Sequence, residues 1–293
     1  MKKLFFVLMA LVLLSSCSKP PVPNNGSNGN PVPLTARGVG FMPSSDFLQS
    51  LKDADSSGSY IGFYAPFDKN KDIPEIVAVA YEYKLDSEPI VNVNFFDAST
   101  GKTLPGYSKE IYKKQVVSIA ARYKPKYLGV GNEINLYSDG MDKAAEIYNE
   151  VYDEIKKSSP ETKVFAVFQY EHLDDVSAIN KFNMDVVGIT SYPFIKGYKS
   201  PSDIPKDYYS KLSSVNKPII FTEIGHNSLA SEDDQANFID VFYSRLSEYN
   251  IKPEIVIWGL LYDYPQKGGI WNAGLFTKDG SSKKVFYKWT FKE

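Results

Sequence analysis

From about residue 35 onward, apolar residues follow two alternating rhythms. Eight short runs are rich in β-branched and aromatic side chains and mostly uninterrupted by polar ones: 38–42, 60–64, 90–96, 127–134, 164–170, 186–192, 219–224 and 255–261. Parallel strands covered on both faces read this way. Between the runs, apolar positions recur with the helical period, most clearly at Ala144, Ile147, Tyr148, Val151, Tyr152 and Ile155. Ser231 with Asp234 has the form of a capping box, opening the stretch that carries Ile239, Phe242 and Leu246. Eight strand–helix units in about 255 residues is the size of one (β/α)8 barrel. A doubly wound sheet would carry a glycine-rich phosphate turn after its first strand, and Gly38-Val-Gly-Phe-Met-Pro43 is not G-x-G-x-x-G. The pattern predicts an α/β protein whose residues 35–293 form a single TIM barrel.

Positions 1–34 keep neither rhythm. Met1-Lys-Lys3, an apolar run from Leu4 to Leu14 and Ser15-Ser16 make a secretory signal too short to span a bilayer, which needs about 20 residues. Leu14-Ser-Ser-Cys17 resembles the bacterial lipobox, which is cut before its cysteine; an ordinary signal cut at a small residue is the alternative. Residues 1–16 are thus expected to be a lipoprotein signal peptide, and Cys17 the lipidation site. Acyl chains there would tether the protein to a membrane of the bacterial cell envelope, facing the periplasm or the cell surface. Residues 17–34, with Pro20, Pro21, Pro23, Pro31 and Pro33 among Asn, Gly and Ser, cannot bury a core and read as a disordered, extended linker.

Charge and composition narrow the chemistry. With 33 Lys and Arg against 35 Asp and Glu the chain is mildly acidic, and no basic stripe suggests nucleic acid. Cys17 is the one cysteine, so no disulfide can form within the chain. Two histidines, His172 and His226, are too few for a multi-histidine metal centre, and no cofactor is implied. The expected partners are a carbohydrate and, through Cys17, a membrane, with the protein itself a monomer.

Barrel enzymes build their sites at the C-terminal ends of the strands. Those ends carry Asn92, Asn94 and Asp97; Asn132, Glu133 and Asn135; Gln169, Glu171 and His172; Thr190 and Tyr192; Glu223, His226 and Asn227; and Trp258, Tyr262 and Asp263. Amides, acids and aromatics in such a rim suit a sugar, whose rings offer apolar faces and hydroxyls. Glu133 and Glu223 each close an apolar strand, where a carboxylate costs several kcal/mol of desolvation unless it is bonded or used. They are the candidate acid/base and nucleophile of a retaining glycosidase, which places its carboxyls about 5–5.5 Å apart so that one keeps the other protonated. Trp271, in Gly268-Gly-Ile-Trp-Asn272, either offers a sugar platform or packs its loop down.

These residues resemble the retaining glycoside hydrolases of clan A, whose acid/base is the Glu of an Asn-Glu pair ending strand 4 and whose nucleophile is a Glu ending strand 7. Gly129-Val-Gly-Asn-Glu-Ile134 and Asp185-Val-Val-Gly-Ile-Thr-Ser-Tyr-Pro-Phe194 look most like the endo-β-1,4-galactanase (arabinogalactanase) family of that clan. The resemblance implies that Asn132 holds a substrate hydroxyl, that Tyr192 hydrogen-bonds the nucleophile and that Trp258 floors the subsite on the non-reducing side. Asn94, Glu171 and Trp271 complete the expected sugar contacts. It also implies an endo-acting enzyme on a β-galactan, β-mannan or β-glucan.

One departure stands out. Those families carry an arginine on strand 2 beside the nucleophile, whereas strand 2 here reads Tyr60-Ile-Gly-Phe-Tyr-Ala-Pro66, and the arginines are Arg37, Arg122 and Arg245. A non-catalytic carbohydrate-binding lipoprotein on the same barrel is therefore the competing expectation. A barrel enzyme using a metal or a Schiff base is disfavoured by scarce histidine and the lack of a lysine at the strand ends.

Overall fold

A computed structural model describes residues 35–264 and 272–290. The expected signal peptide, Cys17, the linker and Trp271 lie outside the described residues.

The eight strands are β1 Ala36–Gly40, β2 Tyr60–Pro66, β3 Glu88–Asn94, β4 Tyr127–Val130, β5 Lys163–Gln169, β6 Val186–Ser191, β7 Ile219–Ile224 and β8 Ile255–Trp258. Every neighbouring pair is parallel, and β8 closes on β1 to complete the barrel. Strand alternation divides the apolar residues into two layers. Ile90, Tyr127, Phe165, Val186, Ile220 and Ile257 fill the interior, while Phe63, Val93, Leu128, Phe168, Phe221 and their neighbours pack outward beneath the helices.

The covering helices are α1 Phe47–Asp55, α2 Glu75–Glu82, α3 Lys109–Tyr123, α4 Met141–Ser158, α5 Glu232–Ser247 and α6 Lys284–Thr290. The periodic face read in α4 is the buried one, with Ala144, Ile147, Tyr148, Val151 and Ile155 all in the core. Ser231 caps α5 by accepting from the Asp234 N–H at 2.9 Å. After β5 and β6, however, the cover is made of 3-10 turns, principally Val176–Lys181 and Ser210–Ser214. The first connection carries Asp174, Asp175, Asn180 and Asn183, and the second Pro193, Pro201 and Pro205 among Ser and Asp, residues that favour caps and turns over helix interiors.

Strands β4 and β8 stop four and three residues short of the ends of their apolar runs. In β4 the cause is local: Gly131 at φ 90° and Glu133 at φ 52° leave the extended region and turn the chain into the short helix Ile134–Leu136. Glu133 is therefore presented by a left-handed turn, a conformation unusual for a residue with a Cβ and often found at functional sites.

Candidate active site

Glu223 reaches the barrel mouth because β7 is irregular. Thr190 of β6 pairs with Glu223 while its predecessor Ile189 pairs with Phe221, so Thr222 is an extra residue, and the β7–β8 register skips at the same place. Such a bulge reverses the alternation that follows it. Ile220 faces inward and Phe221 outward; without the bulge Glu223 would face the helices, and with it the carboxylate turns into the mouth.

Three neutral donors surround that carboxylate. Tyr192 Oη donates to Oε2 at 2.7 Å and Asn132 Nδ2 to Oε1 at 3.3 Å. Tyr64 Oη donates to the Thr222 carbonyl at 2.8 Å and lies near enough to Glu223 to lower its proton affinity as well. Asn132 is itself oriented: Asn92 Nδ2 donates to its side-chain oxygen at 3.1 Å, and Asn94 Oδ1 accepts from its backbone N–H. The amide nitrogen of Asn132 is thereby left to point at Glu223.

Glu133 meets different neighbours. Thr190 Oγ1 and Gln169 Nε2 both donate to its Oε1, at 2.8 and 3.3 Å. Gln169 is fixed in turn by a reciprocal pair of bonds with Asn135. Among the described residues no donor reaches Oε2, so that oxygen is the one placed to carry a proton. Burial, followed by the charge of Glu223, raises the Glu133 pKa to about 7. Glu223 is also raised by burial, but its donors oppose the shift, so it is the carboxyl that ionises first.

The structure brings together Glu133, Glu223, Asn132 and Tyr192, as the sequence suggested, and places Asn94 behind Asn132 as its backbone partner. Two expectations are corrected. Trp258 is fully buried in the outer layer, edge-on to Trp289 and Phe238, with its N–H on the Ala273 carbonyl at 2.7 Å. Ile255 and Ile257 face inward, so the residue after Ile257 must face outward and cannot floor a sugar subsite. Glu171 is 4% exposed and bonds Ser191, Tyr192 and Tyr208 behind the sheet rather than facing the mouth. Of the histidines, His172 is exposed and His226 is buried between Phe194 and Phe238. Asp263, counted in the rim, is engaged by the buried Lys283 at 2.9 Å.

Tyr64, Thr190, Gln169 and Asn92 had been given no role beside the two glutamates. Tyr64 stands on the strand that lacks arginine. Its ring crosses the interior over Gly40 and Gly62, where an added Cβ would come within 3.6 and 3.7 Å of it, to reach β7. None of the three arginines approaches the pair: Arg37 bonds Tyr243 and Trp289, Arg122 bonds Glu82, and Arg245 bonds the Ile204 carbonyl. No cluster of three or more metal-ligating side chains occurs among the described residues.

No protein-family model matches the sequence, and no curated protein matches it. Solved structures share its fold. A β-D-glucuronidase of Dictyoglomus thermophilum aligns at TM-score 0.65 and 19% identity over 88% of this chain and 50% of that one. An exo-β-1,4-mannosidase from Opitutaceae bacterium strain TAV5 aligns at 0.71 and 11%, over 88% and 59% respectively. The GH53 catalytic domain of Ignisphaera aggregans aligns at 0.63 and 17%, over 89% and 98%. The chain thus spans about half the length of the first, somewhat more of the second and nearly all of the third. At these identities the likeness establishes the barrel, and all three similar barrels come from glycoside hydrolases.

Proposed function

We propose that this protein is a retaining, endo-acting glycoside hydrolase for β-linked polysaccharide or oligosaccharide, of the β-galactan, β-mannan or β-glucan class. One observation carries the reading. Two half-buried carboxyls share the barrel mouth in unequal settings, one bonded by neutral donors that favour its anion, the other raised to about 7 with a free oxygen. Such a split assigns acid and base roles to a carboxyl pair. Glu223 would attack the anomeric carbon as Glu133 delivers its proton to the departing oxygen. Glu133, now ionised, would then take a proton from water as that water opens the glycosyl ester. Asn132, beside the nucleophile, is placed to bond a hydroxyl of the sugar at the cleaved bond. Lipidation at Cys17 would hold this activity at the cell envelope. The resemblance of the strand 4 and strand 6 motifs to the endo-β-1,4-galactanase family supports a β-galactan first among the candidates.

The test is a panel of β-linked polysaccharides offered to the purified protein, with the anomer of the first product followed by NMR. Hydrolysis with retained configuration is expected; sugar binding by calorimetry without turnover on any member would replace the proposal with the binding-module reading. The kcat/KM profile should be bell-shaped. Its alkaline limb falls as Glu133 loses its proton near pH 7, and its acid limb falls as Glu223 gains one.

Gly259 provides a smaller test of the same geometry. It follows Trp258, and a Cβ there would lie 1.9 Å from Tyr192 Oη and 3.3 Å from Glu223 Cβ. Gly259→Ala should therefore push Tyr192 off the nucleophile. Losing one hydrogen bond to a charged group, about 1.5–3 kcal/mol, predicts a fall in kcat/KM of about 10- to 100-fold. Wild-type kinetics in a variant with unchanged circular dichroism would contradict that packing.

A further inference from the structure

Behind the β5–β6 wall, outside the two-glutamate pair, lies a third carboxylate with no role in the steps above. Glu171 Oε1 accepts three bonds: from Ser191 Oγ at 2.8 Å, from the Tyr192 backbone N–H at 2.9 Å and from Tyr208 Oη at 2.9 Å. Tyr209 Oη lies 2.9 Å from the same Ser191 hydroxyl. Since Ser191 gives its proton to Glu171, Tyr209 must be the donor in that pair, and every mobile proton in the cluster points toward the carboxyl group. Glu171 Oε2 is buried with no partner among the described residues. Oε2 has neither donor nor acceptor among them, so it is Oε1 that favours the anion: three donors converge there, and they oppose the upward pull of burial on the Glu171 pKa. A cation, Lys211 Nζ, bonds the Tyr170 and Leu173 carbonyls at 2.8 and 2.7 Å on the turn that carries Glu171.

We infer that Glu171 is a buried anion that acts as a positioning residue, fixing the backbone of Tyr192 and, through its charge, holding Glu133 in its protonated form. The Tyr192 side of this follows from connectivity. The same residue receives Glu171 at its N–H and gives its hydroxyl to Glu223 at 2.7 Å, so the carboxylate sets where that phenol starts. The Glu133 side follows from placement and charge: Thr190 donates to Glu133 and the next residue, Ser191, donates to Glu171, so the two carboxyls lie on opposite faces of β6, where a charge on one disfavours a charge on the other. The titratable groups facing Glu171 are Tyr170 on its own turn, Tyr208 and Tyr209 from the loop after β6, Lys211 from the turn Ser210–Ser214 and Glu133 across the sheet. Its consequence for catalysis rests on the hydrolase reading; its consequence for titration does not.

The experiment is a pH titration of carboxyl-13C-glutamate NMR resonances in the full chain, assigned by loss of signal in Glu133→Gln, Glu171→Gln and Glu223→Gln. In the parent, Glu171 should give a carboxylate shift at neutral pH. Glu171→Gln keeps an acceptor for the Tyr192 N–H but removes the charge, so the Glu133 midpoint should fall by about half a pH unit or more with Glu223 little changed. Glu171→Met removes the acceptor too, and the Glu223 midpoint should then rise as Tyr192 loosens. A Glu171 resonance that is a neutral acid at pH 7, or an unmoved Glu133 midpoint in Glu171→Gln, overturns the inference. Should either Glu171 variant fail to fold, Tyr208→Phe decides: with one donor gone the Glu171 midpoint should rise, and an unchanged midpoint counts against the anion. These titrations need no substrate, so they can succeed even if the polysaccharide panel shows no hydrolysis.

Discussion

Glu223→Ala should abolish turnover on every substrate the parent cleaves, by about 10⁵-fold or more, as removal of a nucleophile that acts within a concerted set does. Its neighbours cannot replace it: Tyr192 and Asn132 point donors at the carboxylate position, Tyr64 gives its hydroxyl to the adjacent Thr222 carbonyl, and none of the three offers an anion. The truncation leaves a void beside the anomeric carbon lined by those donors, which suits a small anion. Added azide should therefore restore part of the activity and yield a glycosyl azide of inverted configuration, because azide attacks from the side the carboxylate occupied while Glu133 still protonates the leaving group. Product NMR checks the outcome. A variant with undiminished hydrolysis, or azide product of retained configuration, would remove Glu223 from the nucleophile role.

Glu133→Ala should fail selectively. In the proposed mechanism its carboxyl protonates the departing oxygen, so natural β-glycans, whose leaving groups are poor, should lose about 10³- to 10⁴-fold in rate. Aryl glycosides with acidic phenols leave without help and should still form the glycosyl-enzyme, which then accumulates because no base activates water. Azide needs no base and should release the intermediate with retained configuration. The alkaline limb near pH 7 should vanish from the profile on aryl substrates, since the group that titrates there is gone. Equal losses on aryl and natural substrates would show that Glu133 does something other than proton transfer.

Much of this site could be read from strand ends, and each misreading has a structural cause. The Asn132-Glu133 pair and Glu223 stand out because carboxylates close apolar runs. The sequence carries no comparable signal for the bulge at Thr222 that turns Glu223 inward, or for the left-handed turn at Glu133, since both are set by the closing geometry of the barrel. Other positions were legible but read without strict alternation. Ile61, Phe63 and Ala65 pack outward, which sends Tyr64 inward; Ile255 and Ile257 pack inward, which sends Trp258 outward. Counting by twos along β2 and β8 would have exchanged their roles. Glu171 falls just past the end of β5, where alternation no longer applies, and only the coordinates show that it turns behind the sheet.

The missing helices after β5 and β6 alter how motion is distributed around the barrel. On the side covered by α3 and α4, long hydrogen-bonded helices lie over the sheet. On the adjoining side, short 3-10 turns are held by Glu171, Ser191, Tyr208 and Lys211, so side-chain bonds do the work that helical packing does elsewhere. Short turns of this kind open locally at little free-energy cost. Amide exchange across 170–214 should therefore run ahead of exchange in α3 and α4, which makes the wall that carries Tyr192 the more yielding part of the barrel.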